Sequence, residues 1–101
     1  MQDPTTPLVA TADLDGLAGA FTVLDTHAEL NHRYRKLIED SYAQLAAERV
    51  RLTQARGMAK KVQVLVRAAG PEFRDTLGEP ERTALDAGLT QAETLIQHAH
   101  P

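Results

Sequence analysis

Residues 52–71 read LTQARGMAKKVQVLVRAAGP, a stretch that combines a helical repeat with a strong stop signal. Its apolar positions recur in alternating steps of three and four residues, the spacing of one face of an α-helix. Gly70-Pro71 then ends the helix, because glycine is favoured just past a helix end and proline cannot continue one. The pattern predicts an amphipathic helix whose apolar face is Leu52, Ala55, Ala59, Val62, Val66 and Ala69.

The same spacing occurs nearer the N-terminus, but its register shifts. An apolar series from Leu14 to Ala28 would continue onto Asn31 and Arg35, whereas the apolar residues resume at Ile38. Such a shift is either a stutter in one long helix or a break near residue 31. Gly57 is a second place for a break, since glycine weakens a helix by about 1 kcal/mol relative to alanine. We predict helix over residues 13–69 and leave the break open.

The two ends of the chain differ in composition from this segment. Pro4 and Pro7 among threonines predict a flexible lead-in over residues 1–12. Pro80, at a first helical position between two glutamates, predicts a last helix over residues 81–98. With 101 residues, 43% hydrophobic and only 4% aromatic, the chain is expected to form one all-α domain over residues 13–101.

An unbroken helix over residues 13–69 would be about 85 Å long, and the rest of the chain could not cover its apolar seam. Two architectures solve this problem. One is a long-helix hairpin or three-helix bundle completed by a homodimer, which the shift in register favours. The other is an elongated coiled-coil dimer. In both, the predicted helix-packing positions are Leu14, Leu17, Phe21, Leu24, Ile38, Tyr42, Leu45, Leu52, Val62, Leu65 and Val66.

Several classes of protein are excluded or disfavoured by composition. The chain has no cysteine, which excludes disulfides, thiolate zinc sites and thiol nucleophiles. No run approaches the ~18 apolar residues of a membrane span. The N-terminus also lacks a positive region followed by a sustained apolar stretch, the mark of a secretory signal. We therefore predict a cytoplasmic protein without membrane association.

Charge is distributed unevenly. Residues 49–67 hold six cations and no acid, so the remainder carries −9 to give the net charge of −3. On a continuous helix, Arg49, Arg56, Lys60 and Arg67 would fall within about 40° of one another and form a basic stripe. Three interpretations are open, in decreasing order of preference. The stripe is a solvated or internally paired face, a surface for an acidic protein partner, or a surface for nucleic-acid phosphates.

Nucleic acid is the least favoured of these partners. No aromatic residue lies between Tyr42 and Phe73 to stack on a base. The isoelectric point near 5.7 is also well below that expected of a nucleic-acid-binding domain.

Catalytic and metal-binding signals are weak. Glu29 and His32 have the E-x-x-H spacing of di-iron bundles, but the chain has no second such motif and Lys36 lies one turn away. Ser41 is the only serine and has no glycine-rich elbow. We therefore predict no metal, no cofactor and no enzymatic activity.

The sequence thus favours a helical protein–protein interaction module, such as an adaptor, a regulator or a small chaperone. The alternative is a nucleic-acid-binding regulator that uses the basic helix over residues 49–67. A metal-dependent helical-bundle enzyme is a distant third.

Overall fold

The computed structural model describes residues 7–97. Most of these residues are helical, which confirms the all-α class. None of the helices among them is long and apolar enough to cross a membrane. The elements in chain order are β1 (Leu8–Ala10), a 3₁₀-helix (Thr11–Leu14), α1 (Asp15–Leu24), α2 (Ala28–Arg33), α3 (Arg35–Leu45), β2 (Arg49–Arg51), α4 (Leu52–Ala69), α5 (Pro71–Thr76) and α6 (Glu79–Gln97).

The core forms where α1, α4 and α6 meet. The most extensive helix contact joins α1 to α6, and the next joins α4 to α6. Burying a large apolar side chain contributes roughly 1.5–3 kcal/mol, so this junction supplies most of the hydrophobic stabilisation. Its fully buried residues are Leu17, Ala20, Phe21 and Leu24 from α1, Ala55, Met58, Ala59, Val62 and Leu65 from α4, and Leu85, Gly88 and Ala92 from α6.

Small residues allow α6 to lie directly on α1. A Cβ atom added to Gly88 would clash with the Cβ atom of Ala20 and lie 2.6 Å from the carbonyl oxygen of Gly16. Both approaches are closer than van der Waals contact, so only glycine fits at position 88. The backbones of the two helices therefore approach closely at this crossing.

The remaining elements cover the other side of the core. Leu30 of α2 and Ile38 of α3 are buried. β1 and β2 form an antiparallel ribbon in which Val9 lies opposite Val50, and Val50 is buried as well. The ribbon ties the N-terminal segment to the start of α4.

Within the flexible lead-in predicted over residues 1–12, the chain forms β1 and the start of the 3₁₀-helix. The Thr11 hydroxyl also donates a hydrogen bond to the Ala47 carbonyl at 2.7 Å. Composition could not predict this order, since the partners of these residues are distant in the sequence. Residues 1–6 lie outside the described residues, as does His98 at the end of the predicted last helix.

The predicted helix over residues 13–69 is divided in three places: residues 25–27, Tyr34, and residues 46–51. At the first, the Thr26 hydroxyl donates to the Val23 carbonyl and ends α1, while His27 Nδ1 accepts from the Leu30 N–H and begins α2. Residue 31 lies inside α2, so the break predicted near it falls at neighbouring positions. Gly57 lies inside unbroken α4.

These breaks let one chain cover its own apolar seams. The molecule measures 45 × 25 × 20 Å, so the 85 Å helix of the elongated coiled coil does not form. The prediction of a homodimer rests on apolar seams too long for one chain to cover, and the folded chain removes that reason. Of the predicted packing positions, Leu14, Leu17, Phe21, Leu24, Ile38, Val62 and Leu65 are buried, Leu45, Leu52 and Val66 are half-buried, and Tyr42 is exposed.

Candidate partner-binding surface

α4 has a second regular row of residues on the side that faces away from the core. The row is spaced by steps of four, three, four and three residues, so it follows the helix as the core-facing row does. Thr53, Lys60, Val64 and Arg67 are exposed and Gly57 is half-buried. We call these five residues the outer row. The same spacing lines the contacts between helices in coiled coils.

The cations of the outer row are not neutralised by ion pairs within residues 7–97. The ion pairs there join Arg33 to Glu29, Arg35 to Glu39 and Arg74 to Asp86. None of them includes Lys60, Lys61 or Arg67. The positive charge of this helix face therefore acts on the surroundings of the molecule.

The structure rearranges the predicted basic stripe of Arg49, Arg56, Lys60 and Arg67. Arg49 lies in β2, so the assumption that one continuous helix carries all four residues is wrong. Arg56 is half-buried at the flank of α4, whereas Lys60 and Arg67 are exposed. Only the last two belong to the outer row. The reason is the ribbon, which requires an extended chain at Arg49.

Val64 is an apolar residue between these two cations. Its relative exposure is 50%, and the other large hydrophobic residues exposed in the described chain are Leu8 and Tyr42. Val64 is not among the site residues predicted from the sequence. Helical geometry could have found it, because Val64 lies on the same side of the helix as Lys60 and Arg67 and one heptad after Gly57.

Gly57 leaves an open notch in the outer row. A Cβ atom added there would have no atom of residues 7–97 within 4 Å, apart from its chain neighbours and its own helix backbone. Its φ angle is in the ordinary helical range, since the positive φ of the described residues is at Gly70. Neither packing nor backbone conformation within the described chain therefore requires glycine at position 57.

A surface cleft of about 390 Å³ lies between the end of α1 and helices α2 and α3. Its polar groups are largely paired with one another. The Asn31 amide donates to the Asp25 carboxylate, and Arg35 Nε donates to Glu39 at 3.0 Å. Asn31 and Arg35 thus stabilise the α1–α2 connection and the surface of α3, rather than lining a helix seam. We assign no ligand to this cleft.

The E-x-x-H pair is not part of a metal-binding cluster. Glu29 pairs with Arg33 at 3.4 Å, and His32 is exposed on the same short helix. Among residues 7–97, no group of three or more potential ligands is close enough to hold a metal ion.

No protein-family model matches the sequence, and neither a curated protein nor a solved structure matches it.

Proposed function

We propose that the protein is a helical interaction module that binds an acidic segment of another protein through the outer row of α4. The observation that carries this proposal is the exposure of Lys60 and Arg67, without ion pairs to residues 7–97, on either side of exposed Val64. Surfaces of this kind attract a partner by charge and hold it by apolar contact. The proposal includes no catalytic step.

The chemistry of the outer row favours a protein over a nucleic acid. A phosphate backbone would pair with Lys60 and Arg67 but would offer no apolar group to contact Val64. The aromatic platforms on which single-stranded bases stack are also missing from this face of α4, whose residues 52–69 include no aromatic.

A homodimer stays a prediction that the proposal does not require. Large exposed hydrophobic residues are few in the described chain, whereas homodimer interfaces are rich in apolar area. Light scattering measures the oligomeric state at ~100 μM protein, a concentration far above the usual dissociation constants of specific dimers. A monomeric mass would reject the homodimer.

The proposed function is tested with two probes at equal salt: an acidic amphipathic helical peptide of about 20 residues, which matches the length of α4, and a random-sequence DNA duplex. The test variant is Lys60→Glu/Arg67→Glu. Its control is Arg33→Glu/Lys36→Glu, whose cations are exposed on α2 and α3. Both double variants change the net charge from −3 by −4, to −7. A general effect of charge would therefore act on both alike.

We expect the peptide to bind the wild type and the control, and its NMR shift changes to centre on α4. Binding to the test variant should be at least ~10-fold weaker, which corresponds to about 1.4 kcal/mol. Equal weakening in both variants, or no binding at ~1 mM peptide, would reject the proposal. Tighter binding to DNA, with a steep loss on adding salt, would favour the nucleic-acid alternative.

A further inference from the structure

Within the described chain nothing requires glycine at position 57, in contrast to Gly16 and Gly88 of the other core helices. Gly88 is required because α1 lies directly on it, and Gly16 because the Gln91 side chain and the Ala87 carbonyl oxygen lie close. The space over Gly57 is open. A glycine inside a helix is nevertheless less favourable than alanine, and this has a cost in stability. This cost suggests that the notch is used by something outside residues 7–97.

The contact of Gly88 with Ala20 shows what a helical glycine does in this same molecule. It lets a second helix approach until the backbone of one nearly touches the side chains of the other. Helix axes normally lie 8–10 Å apart, and the distance depends on the size of the side chains at the contact. The notch at Gly57 would allow an equally close approach on the opposite side of α4.

The rest of the outer row fits a helix that crosses at this notch. Val64 lies one heptad beyond Gly57, about 10 Å along the axis, in the same line. Lys60 and Arg67 alternate with these two residues. An approaching helix would therefore contact a small residue, a cation, an apolar residue and a second cation, in that order. The spacing of these four residues matches the spacing of residues along one face of the approaching helix.

We infer that the partner segment is an acidic helix that packs along the outer row, with its backbone closest to Gly57. An apolar side chain of that helix packs beside Val64, and carboxylates one or two turns along it pair with Lys60 and Arg67. This inference rests on the proposed function and specifies its partner. We infer the acidic character of the partner from charge complementarity. We infer its helical conformation from the notch at Gly57 and the three-four spacing of the outer row.

The decisive variant is Gly57→Gln. The Cβ atom of a glutamine at this position meets no described atom within 4 Å beyond its chain neighbours and its own helix backbone, and glutamine is a much better helix former than glycine. The melting temperature should therefore stay unchanged or rise. Binding of the acidic helical peptide should weaken at least ~10-fold, because the peptide backbone can no longer approach α4. Ala43→Gln, at an exposed position of α3, is the matched control and should change neither quantity.

A second probe tests the helix itself. A peptide of the same composition, with prolines placed so that it cannot form a helix, should bind much more weakly to the wild type. If this peptide binds as tightly as the helical one, or if Gly57→Gln leaves binding intact, the inference is overturned. Lys60→Glu/Arg67→Glu would still weaken binding in that case, so the proposed function would survive. If Lys60→Glu/Arg67→Glu binds the peptide as tightly as the wild type does, both the proposed function and this inference are wrong.

Discussion

Gln91 of α6 caps the N-terminus of α1, because its Oε1 atom accepts a hydrogen bond from the Leu17 backbone N–H at 2.8 Å. The Nε2 atom of the same side chain donates to the Asp13 carbonyl. The residue at the N-cap position of α1 makes no side-chain hydrogen bond. A backbone N–H in the first turn of α1 therefore has its hydrogen-bond acceptor on α6, near the other end of the chain. The cap of α1 depends on the packing of α6 against it.

Replacing Gln91 should measurably weaken the fold. In Gln91→Ala the partly buried Leu17 N–H loses its acceptor and the exposed Asp13 carbonyl loses its donor, and the unsatisfied Leu17 N–H should cost about 1–3 kcal/mol of the free energy of unfolding. Urea denaturation measures this loss. Gln97→Ala, on the exposed last turn of the same helix, should stay within about 0.5 kcal/mol of the wild type. Equal effects of the two changes would mean that the cap adds nothing to stability.

Alanine should have opposite effects at Gly88 and at Gly57. Gly88→Ala places a methyl group in a clash with the Ala20 Cβ atom, so α1 and α6 must separate. Overpacking of this kind costs roughly 1–3 kcal/mol or more. Gly57→Ala meets no other described side chain and should stabilise the fold by roughly 0.5–1 kcal/mol. Thermal unfolding of the two variants shows whether each substitution raises or lowers the stability. If Gly57→Ala lowers it, the notch is already filled.

The parts of the fold that local pattern decides could be predicted from the sequence. The core-facing row of α4 and its end at Gly70-Pro71 follow from apolar spacing and stop residues. The break over residues 46–51 could not be predicted, because Ala46, Ala47 and Glu48 all favour helix. Pairing of Val50 with Val9, which is distant in the sequence, overrides that local preference. The same limit applies to Gln91 and Gly88, whose roles depend on contacts with α1.

The candidate site was predictable only in part. A count of charges finds Lys60 and Arg67, since residues 49–67 contain no acid. It also includes Arg49, because a count of charges cannot show that this residue lies in a strand. Val64 and Gly57 become informative only once the core-facing row of α4 is known, because their significance comes from pointing away from it.

The ion pair between Arg74 of α5 and Asp86 of α6 should make stability depend on pH in the acid range. Arg74 Nε and Nη2 donate to the two carboxylate oxygens at 3.1 and 2.7 Å. These hydrogen bonds lower the pKa of Asp86 below its ordinary value of 3.8. Because the folded pKa is the lower one, the stabilisation is present above pH 3.8 and is lost as the pH falls through the folded pKa.

We therefore expect Asp86→Asn to be less stable than the wild type at pH 7, and the difference to disappear in strong acid. Urea denaturation of both proteins across this range measures it. The pair is about half exposed, so ~1 M salt should reduce the difference at pH 7. A difference that is constant from neutral to strongly acidic pH would contradict the assignment.

Reversing the charges of the outer row should leave the fold intact. Lys60 and Arg67 are exposed and have no carboxylate partner among residues 7–97, so each change to glutamate should alter the free energy of unfolding by less than about 1 kcal/mol. At Lys60 the change also converts the like-charged Arg56/Lys60 pair, four residues apart on α4, into an attractive one. Arg56→Glu should cost more, because Arg56 is half-buried. Thermal unfolding and light scattering of Lys60→Glu/Arg67→Glu check the expectation. A lowered melting temperature or the dissociation of an oligomer would place these two cations inside the protein's own assembly, and the outer row would then be unavailable to any other partner.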